Sequence, residues 1–313
     1  MDARVRQGLA FAFIAVFMWS FTVPATKVAV QGFDPWLTAM ARPVIAAAAA
    51  IPLLLLLRVP FPPRHLWRPI LVTMAGAVFG WPILLALALQ STTAAHAAVI
   101  AAFMPLSTAV FAVLIARERV SRAFWLAASI GTLALIAFSL SRGGLQGGSL
   151  AADLLVVGAV LLSSLCYVQG AMVTREMPGW QVISWVVVFS LPIALPASLV
   201  LWWATHDSYV TTGIEWGAML VLGLSSMYIG FFAWYRGLHL AGVAYGGQVQ
   251  QLQALLTLGW SAWLLGESVT WLTVGAACIV IAAVAWAQWT RTFGRTAPGD
   301  RKEGVAPPMT PAT

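Results

Sequence analysis

Charge is scarce in this sequence: only 9% of its 313 residues are Asp, Glu, Lys or Arg, against about 25% in soluble domains. With 61% hydrophobic residues, the chain lacks the polar surface a water-soluble globule needs, and it reads as an all-α integral membrane protein. Cysteine is nearly absent. Cys166 and Cys278 both fall in apolar stretches and read as buried free thiols rather than as disulfide partners. Also missing are HExxH, GxSxG, a CxxC pair, a Walker loop and a dinucleotide fingerprint, so the sequence announces no enzyme, no metal site and no cofactor.

What is present is a succession of apolar runs, each long enough to cross about 30 Å of hydrocarbon as a helix. They are continuous blocks of Leu, Ala, Val, Ile, Phe and Trp, unlike the ten-residue alternation of an outer-membrane barrel. Ten transmembrane helices are expected, at about 8–31, 36–57, 67–89, 95–116, 122–140, 151–173, 180–203, 215–236, 243–265 and 270–290. Turn-forming stretches divide them: "GFDPW", "RVPFPPRH", "SRGGLQGGS", "REMPGW" and "THDSYVTTG". The Pro-, Gly- and charge-rich residues 294–313 read as a disordered cytoplasmic tail. A cleaved signal peptide would also begin with Arg4 and Arg6 before an apolar core, but the first run is long and is needed as a helix by the repeat described below.

The net charge of +7 is a topology signal. Fourteen of the 17 basic residues lie at the N-terminus, in alternate loops or at the C-terminus: Arg4, Arg6, Arg58, Arg64, Arg68, Arg117, Arg119, Arg122, Arg175, Arg236, Arg291, Arg295, Arg301 and Lys302. By the positive-inside rule both termini are cytoplasmic in a cell (inner) membrane, which an even number of helices requires. No nucleic-acid partner is implied; the expected partners are a small-molecule substrate and the lipid bilayer, with a monomer as one plausible state.

The two halves of the chain resemble each other. "LIARERVSRAFW" at 114–125 aligns with "WLLGESVTWLTV" at 263–274, pairing Glu118 with Glu267, Val120 with Val269 and Ser121 with Thr270; the same offset of 149 brings His96 onto Tyr245. Residues 1–145 and 146–293 therefore read as two five-helix repeats. Because five is odd, the second copy runs inverted through the membrane, the plan of secondary transporters with a central cavity between the repeats.

Trp19, Asp34-Pro35 followed by Arg42, Pro105, and the repeated Glu118 and Glu267 give the chain its likeness to a known group. It resembles the drug/metabolite transporter (DMT) superfamily in its EamA-type ten-helix form, and within it the YddG-type aromatic amino-acid exporters. The second half departs from the pattern, with Ser164 where the family often repeats the Trp and Ala254 opposite Pro105. The resemblance implies a central cavity open to one side at a time, walled prominently by the third, fourth, eighth and ninth helices.

Candidate substrate-binding residues follow from polarity and depth. In "AYGGQVQQLQALL", at 244–256, Tyr245, Gln248 and Gln251 share an arc of about 120°, while Gln250 and Gln253 lie mostly on the other side. The first three are assigned to a water-filled route, and Gln250 to an interhelical hydrogen bond. Arg42 sits some turns into its helix, where a centred charge would cost about 2.5–3.5 kcal/mol on insertion scales, so it needs a partner or water. Snorkelling, or pairing with Asp34 across the external rim, competes with a role in guiding a carboxylate at the outer mouth. Lys27 reads as a rim residue, and Glu118 and Glu267 as turn residues. His96, near an external end, is either a pH sensor or a hydrogen-bonded structural histidine.

Aromatic residues are plentiful. Trp67, Trp202, Trp203, Trp216 and Trp289 fall near helix ends, as interfacial belts do, whereas Trp81, Tyr228 and Trp19 fall at mid-depth and are assigned to the cavity. An aromatic cavity with a few amides suits small amphiphiles such as neutral or aromatic amino acids; a phosphate substrate would call for a buried basic cluster. None of Asp34, Asp153, Asp207, Glu118, Glu176, Glu215 and Glu267 falls near a midplane, so facilitated diffusion by alternating access is expected. A proton-coupled multidrug exporter is the rival within transport. A non-transporting membrane binding protein or an intramembrane enzyme is the rival from another class.

Overall fold

The computed structural model describes residues 3–116, 122, 125–126, 129–130, 133–134, 149–241, 249–250, 252–266 and 270–294. Among these residues regular structure is helical throughout: α1 (Ala3–Ser20), α2 (Thr22–Gly32), α3 (Pro35–Leu56), α4 (Arg64–Met74), α5 (Trp81–Ala88), α6 (Ala94–Ala101), α7 (Met104–Ala116), α8 (Ser149–Val173), α9 (Gly179–Thr205), α10 (Gly213–Leu220), α11 (Gly230–Ala241), α12 (Leu252–Leu265) and α13 (Trp271–Gly294). Several pairs join into one crossing. Seven stretches, from Arg6–Gly32 to Gly213–Gly237, are long and apolar enough to span a membrane, and Leu255–Leu265 and Trp271–Ala283 are shorter apolar helices. The predicted fifth span lies mostly outside the described residues, as does the beginning of the ninth.

Helix ends are fixed by local chemistry. Asp34 caps α3, accepting from the backbone N–H groups of Trp36 at 2.8 Å and Leu37 at 3.1 Å, with Pro35 suited to the first helical position. At α10, Thr212 and Glu215 form a capping box: the Thr212 hydroxyl accepts from Ile214 N–H, and Glu215 accepts from Thr212 N–H at 2.7 Å. The Lys27 ammonium donates to the carbonyls of Leu89 at 2.6 Å and Thr92 at 3.0 Å, placing a cation at the carbonyl end of α5.

Two crossings are interrupted at mid-depth by π-helix. Ala75–Gly80 separates α4 from α5, and Val221–Ile229 separates α10 from α11. Widening the turn changes which side chains face inward beyond it, as π segments do at functional sites. Packing follows an exchange between the halves: α1 lies along α11, α8 lies along α4, α5 and the π segment between them, and α3 lies along α9. Glycine permits the closest approach. A Cβ on Gly76 would run into the Leu162 carbonyl of α8, and one on Gly237 would come within 2.6 Å of the Ala12 nitrogen of α1.

One end of the bundle brings together the start of α4 and the turn after α8 through His65 and Glu176, 2.7 Å apart. The other end gathers the turn between α2 and α3 with the start of α10, where the Phe33 ring meets Trp216 edge-on at 4.9 Å, and the start of α6 with the start of α8. The outer surface carries large exposed apolar side chains, among them Leu55, Leu56, Trp203 and Trp271. In water such a surface would aggregate; against acyl chains it is the stable choice. Of the two thiols, Cys166 is buried as expected, but Cys278 is exposed on α13, because an apolar run does not disclose which of its faces meets lipid.

Candidate functional site

The centre of the bundle holds a small, partly open cavity of about 40 Å³ between elements of both halves. Trp19 of α1, Trp81 at the start of α5, Tyr167 of α8 and Phe231 of α11 supply its aromatic wall. Trp19 is the hub of that wall. Its ring stacks on Tyr167 at 5.9 Å and meets Phe231 at 5.0 Å and Trp234 at 5.2 Å. Its indole N–H donates to the Ser226 carbonyl at 3.0 Å, within the π segment.

The polar part of the wall is small and centred on Arg42. This guanidinium is only 2% exposed and lines the cavity beside Thr22 and Ser226. One arm donates to the Ser226 hydroxyl at 3.3 Å, and that hydroxyl is bonded to the Thr22 hydroxyl at 2.7 Å. Among the described residues, Arg42 Nε and Nη1 have no hydrogen-bond partner. The expected pairing with Asp34 is not what the structure has: both Asp34 contacts are to the backbone that it caps, and Arg42 enters the cavity from about 10 Å along its helix. It is therefore a cavity residue rather than a rim residue.

A second, smaller space of about 20 Å³ adjoins the first, and Met104 and Gln253 line both. Gln253 donates weakly to the Trp19 carbonyl at 3.4 Å and faces both spaces, although helical phase had put it opposite Tyr245, Gln248 and Gln251. Gln250 also borders the second space and donates to the Met104 sulfur at 3.6 Å, the interhelical contact expected of it. Tyr245, Gln248 and Gln251 lie outside the described residues, as do Glu118 and Glu267.

Of the other predicted residues, Trp19 and Trp81 do meet at the cavity. Tyr228 does not. Its ring packs against Phe232 and its hydroxyl is bonded to Ser184 of α9 at 2.8 Å, while its neighbours Ser226 and Met227 face the cavity instead. Its assignment rested on mid-depth, and depth does not say which face of a helix a residue occupies. His96 is apart from the cavity, buried at the start of α6, with Nε2 2.6 Å from an Asp153 carboxylate oxygen near the start of α8. Both side chains are almost fully buried, so pairing is what makes their burial tolerable.

Thr22, Met104, Tyr167, Ser226 and Gln253 were missed. A weak signal existed for three of them: Thr22 follows Trp19 by one helical turn, Ser226 belongs to a Ser pair inside an apolar span, and Tyr167 ends the polar run "SSLCY". Ser164, which stands where a Trp was anticipated, instead bonds to Ser107 and to the Met104 carbonyl, fixing α8 against α7 below the cavity.

Comparison with known proteins places this architecture. The chain is 40% identical over 288 residues to the uncharacterized transporter YdeK of Bacillus subtilis (strain 168), covering 91% of this chain and 98% of that protein. It is 21% identical over 286 residues to the uncharacterized transporter YetK of the same strain, covering 90% of this chain and 85% of that one. A solved structure, described only as the crystal structure of a protein, matches with a TM-score of 0.64 and 21% identity over 90% of this chain and 97% of its own, a likeness of fold. The sequence model of the EamA-like transporter family matches twice, at residues 6–140 and 150–288. The protein is a multi-pass membrane protein that belongs to the EamA-like transporter family.

Proposed function

We propose that the protein exports small amphiphilic metabolites, neutral and aromatic amino acids foremost, in the manner of the YddG-type exporters it resembles. The observation that carries this reading is the central cavity walled by Trp19, Trp81, Tyr167 and Phe231 from both halves of the chain. Rings of this kind receive an apolar side chain at little entropic cost, while a few polar groups orient the head.

The mechanism is alternating access between two inverted five-helix repeats, residues 1–145 and 146–293. Three features support it: the double family match, the exchange of packing partners between halves, and a π segment in the third crossing of each. Both termini face the cytoplasm of a cell membrane, the side to which positive-inside logic assigns the basic loops. The His65–Glu176 contact supports that arrangement by bringing the two basic turns around Arg64 and Arg175 to the same end. Facilitated diffusion drives net flux outward from the cytoplasmic pool.

A second reading, proton-coupled export, is favoured by the buried His96–Asp153 pair, a protonatable couple bridging the two halves within their crossings. One experiment addresses both. Liposomes containing the purified protein and loaded with unlabelled phenylalanine should take up labelled phenylalanine transiently above equality, then settle at equal concentrations with or without an imposed pH gradient. Absence of protein-dependent flux for phenylalanine, tryptophan and leucine alike would remove the amino-acid reading. Sustained accumulation driven by the pH gradient alone would replace facilitated diffusion with proton coupling.

A further inference from the structure

Arg42 is the unexplained group in this molecule. It is a cation buried to 2% exposure in the wall of the central cavity, met on one arm by the Ser226 hydroxyl and on its Nε and Nη1 by none of the described residues. A buried charge is retained only when something pairs with it, and among the described residues no side-chain carboxylate is available to do so. Asp34 caps α3, Asp153 is held by His96, Glu176 by His65, Asp207 by His206, and Glu215 by Thr212. Among the described residues the counter-charge is missing, and the cavity that Arg42 lines is where a solute can supply it. The Ser226 hydroxyl does not rotate freely either, since it is tied to Thr22, so the fork is held in place towards the empty space.

We propose that Arg42 is the carboxylate seat of this cavity, and that the transported class is therefore amphiphilic organic monocarboxylates, with the amino group of an amino acid optional. The proposal rests on the aromatic-cavity reading above and adds the end of the substrate that is recognised. A planar, permanently charged fork fits a carboxylate. A single cation leaves a phosphate dianion half compensated, and the apolar body of the molecule then lies against Trp19 and Trp81. An organic cation meets like charge in the same place, which disfavours the multidrug alternative. No described carboxylate lines the cavity to receive an ammonium group.

The test is thermal unfolding of the purified full chain in lipid nanodiscs, titrated with 3-phenylpropionate, phenylalanine, 2-phenylethylamine and acetate. The first two should raise the unfolding temperature saturably, and the amine should need at least about tenfold more to do the same. Arg42→Gln should abolish the response to the two acids, and Arg42→Lys should restore part of it. An Arg42→Gln protein that still responds to 3-phenylpropionate as the wild type does would overturn the seat. So would a wild type stabilised by 2-phenylethylamine as well as by the acid, although the aromatic cavity would survive that result. Acetate acting as strongly as 3-phenylpropionate would retain the seat and remove the aromatic reading instead. Silence towards all four compounds would remove both.

Discussion

The molecule buries ionisable groups in two places and treats them oppositely. At the outer ends of α6 and α8, His96 and Asp153 face each other at 2.6 Å and compensate each other's burial. At the centre, Arg42 is buried to the same degree with most of its hydrogen-bonding capacity unspent. Stability alone would favour the first arrangement everywhere, because an uncompensated buried charge is among the costliest features a fold can carry. The contrast teaches that depth does not separate structural from functional charge in this bundle. On the role proposed for Arg42, completeness of pairing does. The paired site joins the two halves where they meet, and the unpaired one faces the space in which a solute would sit.

The largest effect that could break this contrast is at Arg42. Replacement by Gln removes a charge-assisted contact of about 1.5–3 kcal/mol per hydrogen bond, so counterflow of phenylalanine should fall by about 100-fold. The unfolding temperature of the unliganded protein should hold or rise, because an unpaired charge has been taken out of the interior. Undiminished counterflow, or a clear loss of stability, would mean that Arg42 is a structural group and the two sites are alike. Asp153→Ala should show the reverse pattern. Leaving the buried imidazole of His96 without its partner costs about 1–3 kcal/mol, read as a fall of several degrees in unfolding temperature, with Asp153→Asn falling less because the amide still bonds to a neutral ring. Equal stability of Asp153→Ala and wild type would show the pair to be dispensable to the fold.

A smaller effect sharpens the comparison by acting on the cavity without touching a charge. A Cβ at Gly230 would lie 2.5 Å from the Trp19 indole nitrogen, the atom that holds the Ser226 carbonyl. Gly230→Ala should therefore displace the ring hub and lower counterflow about tenfold, a loss of about 1.4 kcal/mol. The thermal effect of Asp153→Ala should be unchanged in that background, since neither His96 nor Asp153 lines the cavity that Trp19 organises. A non-additive result would mean that the cavity and the outer pair form one coupled unit.

What could be read from the chain and what could not divide along physical lines. Helical crossings are visible because a span needs a fixed number of apolar residues whatever its neighbours are, and Trp19 and Trp81 are visible because a large aromatic at mid-depth needs a special place. The choice between the two readings of Arg42 stayed open in the sequence because Asp34, eight residues away, looked available, and only backbone geometry reveals that both its contacts are spent on a helix cap. Tyr228 was assigned to the cavity by depth alone, and depth is silent about the face; its hydroxyl is spent on Ser184 of a neighbouring helix. His96 and Asp153 are 57 residues apart in different halves of the chain, and no local pattern announces that they touch.

The smallest expected effect concerns the glutamines of the ninth predicted helix, and it asks whether neutral polar groups obey the same rule as the charged ones. Gln250 spends its amide on the Met104 sulfur at 3.6 Å, a poor acceptor, whereas Gln253 reaches the Trp19 carbonyl at 3.4 Å and lines both empty spaces. Long, weak bonds of this kind inside a membrane bundle are worth about 0.6 kcal/mol, so neither substitution by Leu should unfold the protein. If incomplete pairing marks function, Gln253→Leu should lower phenylalanine counterflow about threefold, since its amide can swing from Trp19 to a solute, while Gln250→Leu should stay within about twofold of wild type. Gln248→Leu and Gln251→Leu, on the face assigned to the route from the cytoplasm, should fall with Gln253→Leu. Counterflow lost in Gln250→Leu and kept in the other three would reverse the assigned faces of this helix, and would confine the pairing rule to groups that carry a full charge.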